Sequence, residues 1–276
     1  MSPVSNLSDY NKFRDYLENA CGIVLGENKQ YLVASRLTRV MAEKHMTGLG
    51  QLLDELINKN NRDLQESIID AMTTNETSWF RDVHPYATLK KDILPEISRG
   101  RKSPIRIWSA ACSSGQEPYS ISMSTHEFQM ANPGLLTTDV RIVATDISPA
   151  MLSFSKKARY ENLAMARGLS DERKKRYFRD VGGAWEVNQD VRSRVEFREL
   201  NLMDNYALLG KFDIVFIRNV LIYFSSKAKQ DILERITKTL NPAGYLYLGG
   251  SEALTGVMGQ YDVVRTSGGV VYKLKS

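Results

Sequence analysis

The sequence predicts an α/β protein in two parts, a small all-α domain followed by a doubly wound, mostly parallel sheet that closes in an antiparallel hairpin. Three observations carry this. Residues up to about 75 show helical periodicity and no strand pattern. From about residue 104, short β runs alternate with helix-like stretches, the order that builds a parallel sheet with helices on both faces. The last two β runs, YDVV and GVVYKL, are joined by TSGG, a hairpin turn.

Taken in order, Ser8 can cap a first helix carrying Phe13, Leu17 and Ala20 at helical spacing, with Gly22 placed to end it. A second helix over residues 28–44 sorts its side chains at about 100° per position. Val33, Ala34, Leu37, Val40 and Met41 form one broad apolar face, and Lys29, Arg36 and Arg39 gather on a narrow arc beside it. GLGQLLDELINK and DLQESIIDAMTT complete a helical bundle. The domain limits read 1–75 for this bundle, 76–103 for a linker and 104–276 for the sheet domain. IRIWSA, VRIVATDI, VEFRELNL, FDIVFIRN and GYLYLGG are the successive strands. VGGAWEVNQDVRSR, near 179–194, fits neither element well; AWEV reads equally as a minor β excursion or as loop.

Composition narrows the function classes. The chain has 276 residues, 42% hydrophobic and 25% charged, enough for one large core and one small one. No run approaches the about 20 apolar residues of a membrane span, and MSPVSNLSDY lacks a basic then apolar leader, so a cytoplasmic protein without membrane insertion is expected. Cys21 and Cys112 are far apart, and His45, His84 and His126 are scattered, which argues against a metal site. The net charge of +5 raises nucleic-acid binding, but residues 1–75 hold 8 basic against 10 acidic side chains. The surplus comes largely from short clusters at Arg99, Arg101 and Lys102 and at residues 173–176, the pattern of a solvated surface. No nucleic-acid partner is expected.

The chemistry concentrates in IRIWSAACSSGQEPYS, residues 105–120. In open parallel sheets, ligands bind beyond the carboxyl ends of the strands, where strand order reverses. The first strand ends at Ala110, and the small residues at 111–115 let a ligand approach the backbone. A phosphate would favour a glycine-rich turn free of carboxylate, whereas this turn has one glycine and puts Glu117 at the helix start, where it attracts a cation. The second strand ends in ATDIS, placing Asp146 where an acid can accept from both hydroxyls of a ribose; capping of the next helix falls better to Ser148, just before Pro149. A nucleoside without phosphates and with a cationic tail describes S-adenosylmethionine.

With these residues in place, the chain resembles the chemotaxis receptor methyltransferases, the CheR family. The resemblance rests on NETSWFR from Asn75, AACSSGQEPYS from Ala110, ATDI from Ala144, NL at Asn201 and Leu202, and RNVLIYF from Arg218. Trp79 stands for a usual Phe, Gln116 for a usual Glu and Gly250 for a usual His. The resemblance implies a Rossmann-like, class I S-adenosylmethionine-dependent methyltransferase fold. Asn75, Thr77, Arg81, Ala110, Glu117, Asp146, Asn201, Leu202, Arg218 and Asn219 would surround the cofactor, and Arg81 and Tyr223 would stand at the reacting centre. On the residues alone, Asn201 and Leu202 read equally as strand-end packing, and Arg218 as a structural ion-pair partner. The segment near Trp185 is shorter and poorer in glycine than in members that bind a receptor pentapeptide, so a pentapeptide-independent member is expected.

The implied reaction is methyl transfer to glutamate side chains on the cytoplasmic signalling helices of chemoreceptors (methyl-accepting chemotaxis proteins), giving γ-methyl esters and S-adenosylhomocysteine. A carboxylate with a reference pKa of about 4.3 is already the nucleophile at neutral pH, so no general base is needed. Lys29, Arg36 and Arg39 are expected to meet the acidic receptor helix, and a monomer is expected. A nucleic-acid amino-methyltransferase would carry a Pro-Pro pair where this chain reads RNVLIYF.

Overall fold

A computed structural model describes residues 6–59, 61–266 and 269–276. Four helices open the chain: α1 (Leu7–Cys21), α2 (Gln30–Glu43), α3 (Leu49–Asn58) and α4 (Arg62–Met72). Each buries the stripe its periodicity marks, such as Tyr10, Phe13, Leu17 and Cys21 on α1 and Val33, Leu37, Val40 and Met41 on α2, and the stripes meet in one core. The cap of α1 is Asn6 rather than Ser8: the Ser8 amide donates to Asn6 Oδ1 at 2.9 Å. Asn6, two residues earlier, satisfies an orphan amide of the first turn and leaves Ser8 inside the helix. Gly22 ends α1 in the left-handed region at φ 77°, and its amide donates to Glu18.

Within the 76–103 segment expected as a linker, α5 (His84–Thr88) runs through a π-helical turn, Leu89–Ile93, into α6 (Leu94–Ser98). The sheet domain then lays down β1 (Ile105–Ala110), α7 (Gln116–Ala131), β2 (Val140–Asp146) and α8 (Pro149–Lys157). An excursion follows: β3 (Arg159–Glu161), α9 (Asn162–Met165), α10 (Asp171–Tyr177), β4 (Phe178–Asp180), β5 (Ala184–Val187) and α11 (Gln189–Arg192). The main sheet resumes with β6 (Val195–Glu199), β7 (Phe212–Ile217), α12 (Ser226–Thr239), β8 (Leu240–Leu248), β9 (Tyr261–Thr266) and β10 (Gly269–Leu274). AWEV is β5, the middle strand of a three-stranded antiparallel sheet ordered β3-β5-β4, so the excursion begins earlier than the sequence suggested.

The main sheet runs β6-β2-β1-β7-β8-β10-β9, parallel from β6 to β8 and antiparallel at the hairpin. Ser267 and Gly268 of the expected TSGG turn lie outside the described residues. Both faces are covered. Ile105 and Ile107 of β1 enter one apolar core, and Trp108 and Ala110 enter the other. Strand order reverses between β1 and β7, so the crevice at their carboxyl ends is where such a sheet holds a ligand.

Among the described residues no helix is long and apolar enough to cross a membrane, and no group of three or more His, Cys, Asp and Glu side chains could hold a metal ion.

Candidate active site

The turn after β1 is tight because its backbone is unusual. Ala111 and Ser113 take φ of 58° and 49°, and Gly115, the cap of α7, takes 92°. A Cβ on Gly115 would lie 2.9 Å from Ser155 Oγ and 3.0 Å from the Tyr160 hydroxyl oxygen, so only glycine fits there. The turn opens on a cleft lined by residues of the helical domain, the linker and the sheet domain.

Asp146 closes the β2 side. Its Oδ2 accepts from the Ser113 amide at 2.7 Å and its Oδ1 from the Ser148 amide at 3.0 Å. Each oxygen keeps a second acceptor direction, and Asp146 lines the cleft. Burial raises its pKa, against which these backbone donors pull. Ser148 caps α8 through the Met151 amide, as expected.

Glu117 is not a bare anion. Ser109 Oγ donates to its Oε1 at 2.8 Å and Arg218 to its Oε2 at 3.0 Å. Arg218, 1% exposed at its side chain, also donates to Asp82 Oδ2 at 2.6 Å and to the Arg81 carbonyl at 3.0 Å. Two carboxylates thus hold one guanidinium; Glu117 and Arg218 stand on the cleft wall, and Asp82 lies outside it. Burial raises the Glu117 pKa, and Arg218 and Ser109 oppose the rise. Arg218 is thus an ion-pair partner whose side chain also forms part of the cleft wall.

The linker forms a second wall. Asn75, Thr77 and Arg81 all line the cleft; Ser113 Oγ donates to the Asn75 carbonyl at 3.0 Å, and Arg81 donates to the Glu76 carbonyl at 2.9 Å. Asn201 and Leu202 line it as well, but the Asn201 amide is engaged elsewhere: Nδ2 donates to the Ala20 carbonyl at 2.7 Å, and Oδ1 accepts from the Met203 amide at 3.0 Å. Its strand-end role is therefore a bridge to α1. Asn219 and Tyr223 complete the lining from the loop after β7.

One expected residue does not reach the cleft. Ala110 is 1% exposed and packs into the core beside Trp108, because strand alternation turns it into the sheet; Ala111 lines the cleft in its place.

The helical domain also supplies lining that no motif marks. Cys21 and Ile23 face the cleft, Ile23 forms an antiparallel bridge with Phe224, and the Val24 amide donates to the Tyr223 carbonyl at 2.9 Å. Burial pushes the Cys21 thiol up to about 11, so it stays protonated and inert. The basic arc on α2 divides. Lys29 and Arg39 are exposed, Arg39 in an ion pair with Glu43 at 2.8 Å. Arg36 turns inward and donates to the carbonyls of Met72 and Thr73 at 2.6 and 3.1 Å and to Thr74 Oγ1 at 3.0 Å. It ties α2 to the end of α4 and to the linker, so its charge is committed within the chain.

The departures in the motifs are accommodated. Trp79 is buried edge-on to Tyr160 and Phe178, at 4.8 and 5.1 Å between ring centres. Gln116 accepts from Ser114 Oγ at 2.8 Å, and a side chain at Gly250 would meet nothing within 4 Å.

Comparison with known proteins agrees with this architecture. The family described as CheR methyltransferase, all-alpha domain matches residues 8–73, and CheR methyltransferase, SAM binding domain matches residues 75–270. The chain is 54% identical over 269 residues to the chemotaxis protein methyltransferase Cher2 of Pseudomonas putida, covering 97% of this chain and 98% of that one. It is 51% identical over 268 residues to the chemotaxis protein methyltransferase of Vibrio anguillarum, covering 97% of each. The chemotaxis protein methyltransferase of Salmonella typhimurium is 33% identical over 275 residues, 97% of this chain and 91% of that one.

Proposed function

The chain belongs to the CheR methyltransferase family, an S-adenosylmethionine-dependent methyltransferase of chemotaxis, and from that premise we propose that it methylates glutamate side chains of chemoreceptors. The products are γ-methyl esters and S-adenosylhomocysteine, and the reaction serves adaptation. One observation carries the reading: a single cleft at the carboxyl ends of the parallel strands gathers Glu117, Asp146, Arg81 and Tyr223.

The residues fit the cofactor. Asp146 has acceptor directions left for two ribose hydroxyls, and Glu117 presents a carboxylate on the cleft wall to an amino or sulfonium group. Asn75, Thr77, Asn201, Leu202 and Asn219 supply the remaining walls. The bound cofactor supplies an activated methyl group.

The chain's own work is placement. An ionised glutamate needs no base, and alignment of two reactants is worth up to about 7–11 kcal/mol. The Arg81 guanidinium orients an incoming carboxylate by charge-assisted hydrogen bonds, and the Tyr223 hydroxyl donates to the oxygen that does not attack. Both are restrained: Arg81 through the Glu76 carbonyl, Tyr223 through the Val24 amide on its own carbonyl.

Lys29 and Arg39, the exposed members of the α2 arc, attract the acidic receptor helix, and the receptor's C-terminal pentapeptide is not required. The test is incubation with methyl-labelled S-adenosylmethionine and receptor-containing membranes, followed by mild alkali. Release of the label as methanol is expected, at equal yield from a receptor lacking its last five residues. Alkali-stable label would overturn the ester, and loss of labelling on truncation would overturn pentapeptide independence.

A further inference from the structure

The loop after β7 carries Asn219 and Tyr223 into the cleft, and its shape is held from outside by one carboxylate. Glu252, in the turn that follows β8, accepts four backbone amides. Its Oε2 takes those of Asn219 and Gly249 at 2.8 and 2.7 Å, and its Oε1 takes those of Val220 and Leu221 at 2.9 and 2.7 Å. The three consecutive amides at 219–221 converge because Asn219 sits at φ 58°, outside the region most residues prefer. Such a run makes an anion-binding concavity, here filled by the chain itself.

Gly249 makes the approach possible. A Cβ there would lie 2.7 Å from Glu252 Oε2 and 2.9 Å from both the backbone and side-chain nitrogens of Asn219. The carboxylate and the strained residue it stabilises therefore depend on a bare backbone beside them.

We propose that Glu252 is a positioning residue for methyl transfer, clamping the amides at 219–221 so that Tyr223 is held at the reacting centre. Glu252 does not line the cleft. It acts through the loop, and the assignment rests on the methyltransferase reading given above. An amide in its place keeps one oxygen for two of the donors and turns an NH2 group on the other two.

The test is a double-mutant cycle of Glu252→Gln with Tyr223→Phe, read as kcat and KM for receptor, with titration of S-adenosylhomocysteine in parallel. A displacement of about 1 Å at a reacting centre costs up to about 10²-fold in rate, so Glu252→Gln should lower kcat by roughly 10- to 100-fold. Receptor KM should move less than about 3-fold, and S-adenosylhomocysteine affinity should fall by less than kcat does, because the clamped Asn219 and Val220 line the cleft. In the Tyr223→Phe background the same change should cost little more, since the group being positioned is absent. Equal fold-losses in both backgrounds, or a change confined to KM, would overturn the proposal. Glu252→Asp, which keeps the charge on a shorter stem, should recover part of kcat; no recovery, with the fold intact by circular dichroism, would also count against it. Wild-type protein that fails to label receptor would instead overturn the methyltransferase reading, and so the two failures are distinguishable.

Discussion

Asp146 and Glu117 bear the same charge but are held differently, Asp146 by backbone amides and Glu117 by a hydroxyl and a buried guanidinium. Replacing Asp146 with Asn removes a charged acceptor for ribose and disturbs the Ser113 amide. Hydrogen bonds to charged groups are worth about 1.5–3 kcal/mol, so S-adenosylhomocysteine binding should weaken by roughly 10- to 10²-fold in titration calorimetry. Burial raises both carboxyls above their ordinary values of 4.5 and 3.8. The cationic cofactor needs the ionised forms, and as pH falls a raised pKa protonates earlier than a free carboxylate does. Affinity should thus decline on acidification while the pH is still above the ordinary carboxylate range. For stability the sign is opposite: the folded form takes up these protons before the unfolded form, so the two groups favour folding as pH falls through their raised values. Titration at several pH values beside thermal melts of the free protein separates the two effects. Affinity constant down to the ordinary carboxylate range would show that these groups do not hold the cofactor.

At the scale of elements, α2 joins recognition to the cleft through Arg36. Arg36→Ala removes donors from the last carbonyls of α4 and from Thr74, and should cost about 1–3 kcal/mol of stability. It should also weaken cofactor binding, because residues 73–77 line the cleft. Lys29→Ala and Arg39→Ala should leave both unchanged and raise the receptor KM in a salt-dependent way, as exposed charges do. Melting curves and binding of the free cofactor product distinguish the two classes; an Arg36→Ala protein as stable as wild type would remove the tie assigned to it. These elements also show what the sequence can and cannot disclose. The strands of the main sheet announce themselves as short apolar runs buried on both faces, such as Phe212–Ile217, alternating along the chain with helix-like stretches. Glu117 and Asp146 are legible because chain order places one at the start of the helix after β1 and the other at the end of β2. The inward turn of Arg36 is not, because a basic side chain at the edge of an apolar face has the same pattern whether it meets solvent or a neighbour's carbonyls. The three-residue strands β3 and β4 are too short for alternation to register. Ala110 ends β1 with its side chain in the core, whereas Ala111 leaves the strand at φ 58°, a change of backbone that two adjacent alanines do not signal. Glu252 gave no signal, since its partners are backbone amides distant in sequence.

Across the whole molecule, the helical domain is part of the cleft rather than an attached arm. Cys21 and Ile23 line it, Asn201 bonds back to Ala20, Val24 bonds to Tyr223, and Arg36 braces the linker. An event on α2 is thereby connected to both walls of the site, through residues 23–24 on one side and 73–77 on the other. The account depends most on the cleft receiving the nucleoside between Asp146 and Glu117, and a crystal structure with S-adenosylhomocysteine examines that directly. Asp146 should accept from the ribose hydroxyls, the Glu117 cluster should face the amino-acid end, and Arg81 and Tyr223 should flank the sulfur. A nucleoside bound elsewhere, or bound in the cleft with Asp146 and Glu117 making no contact to it, would contradict the account.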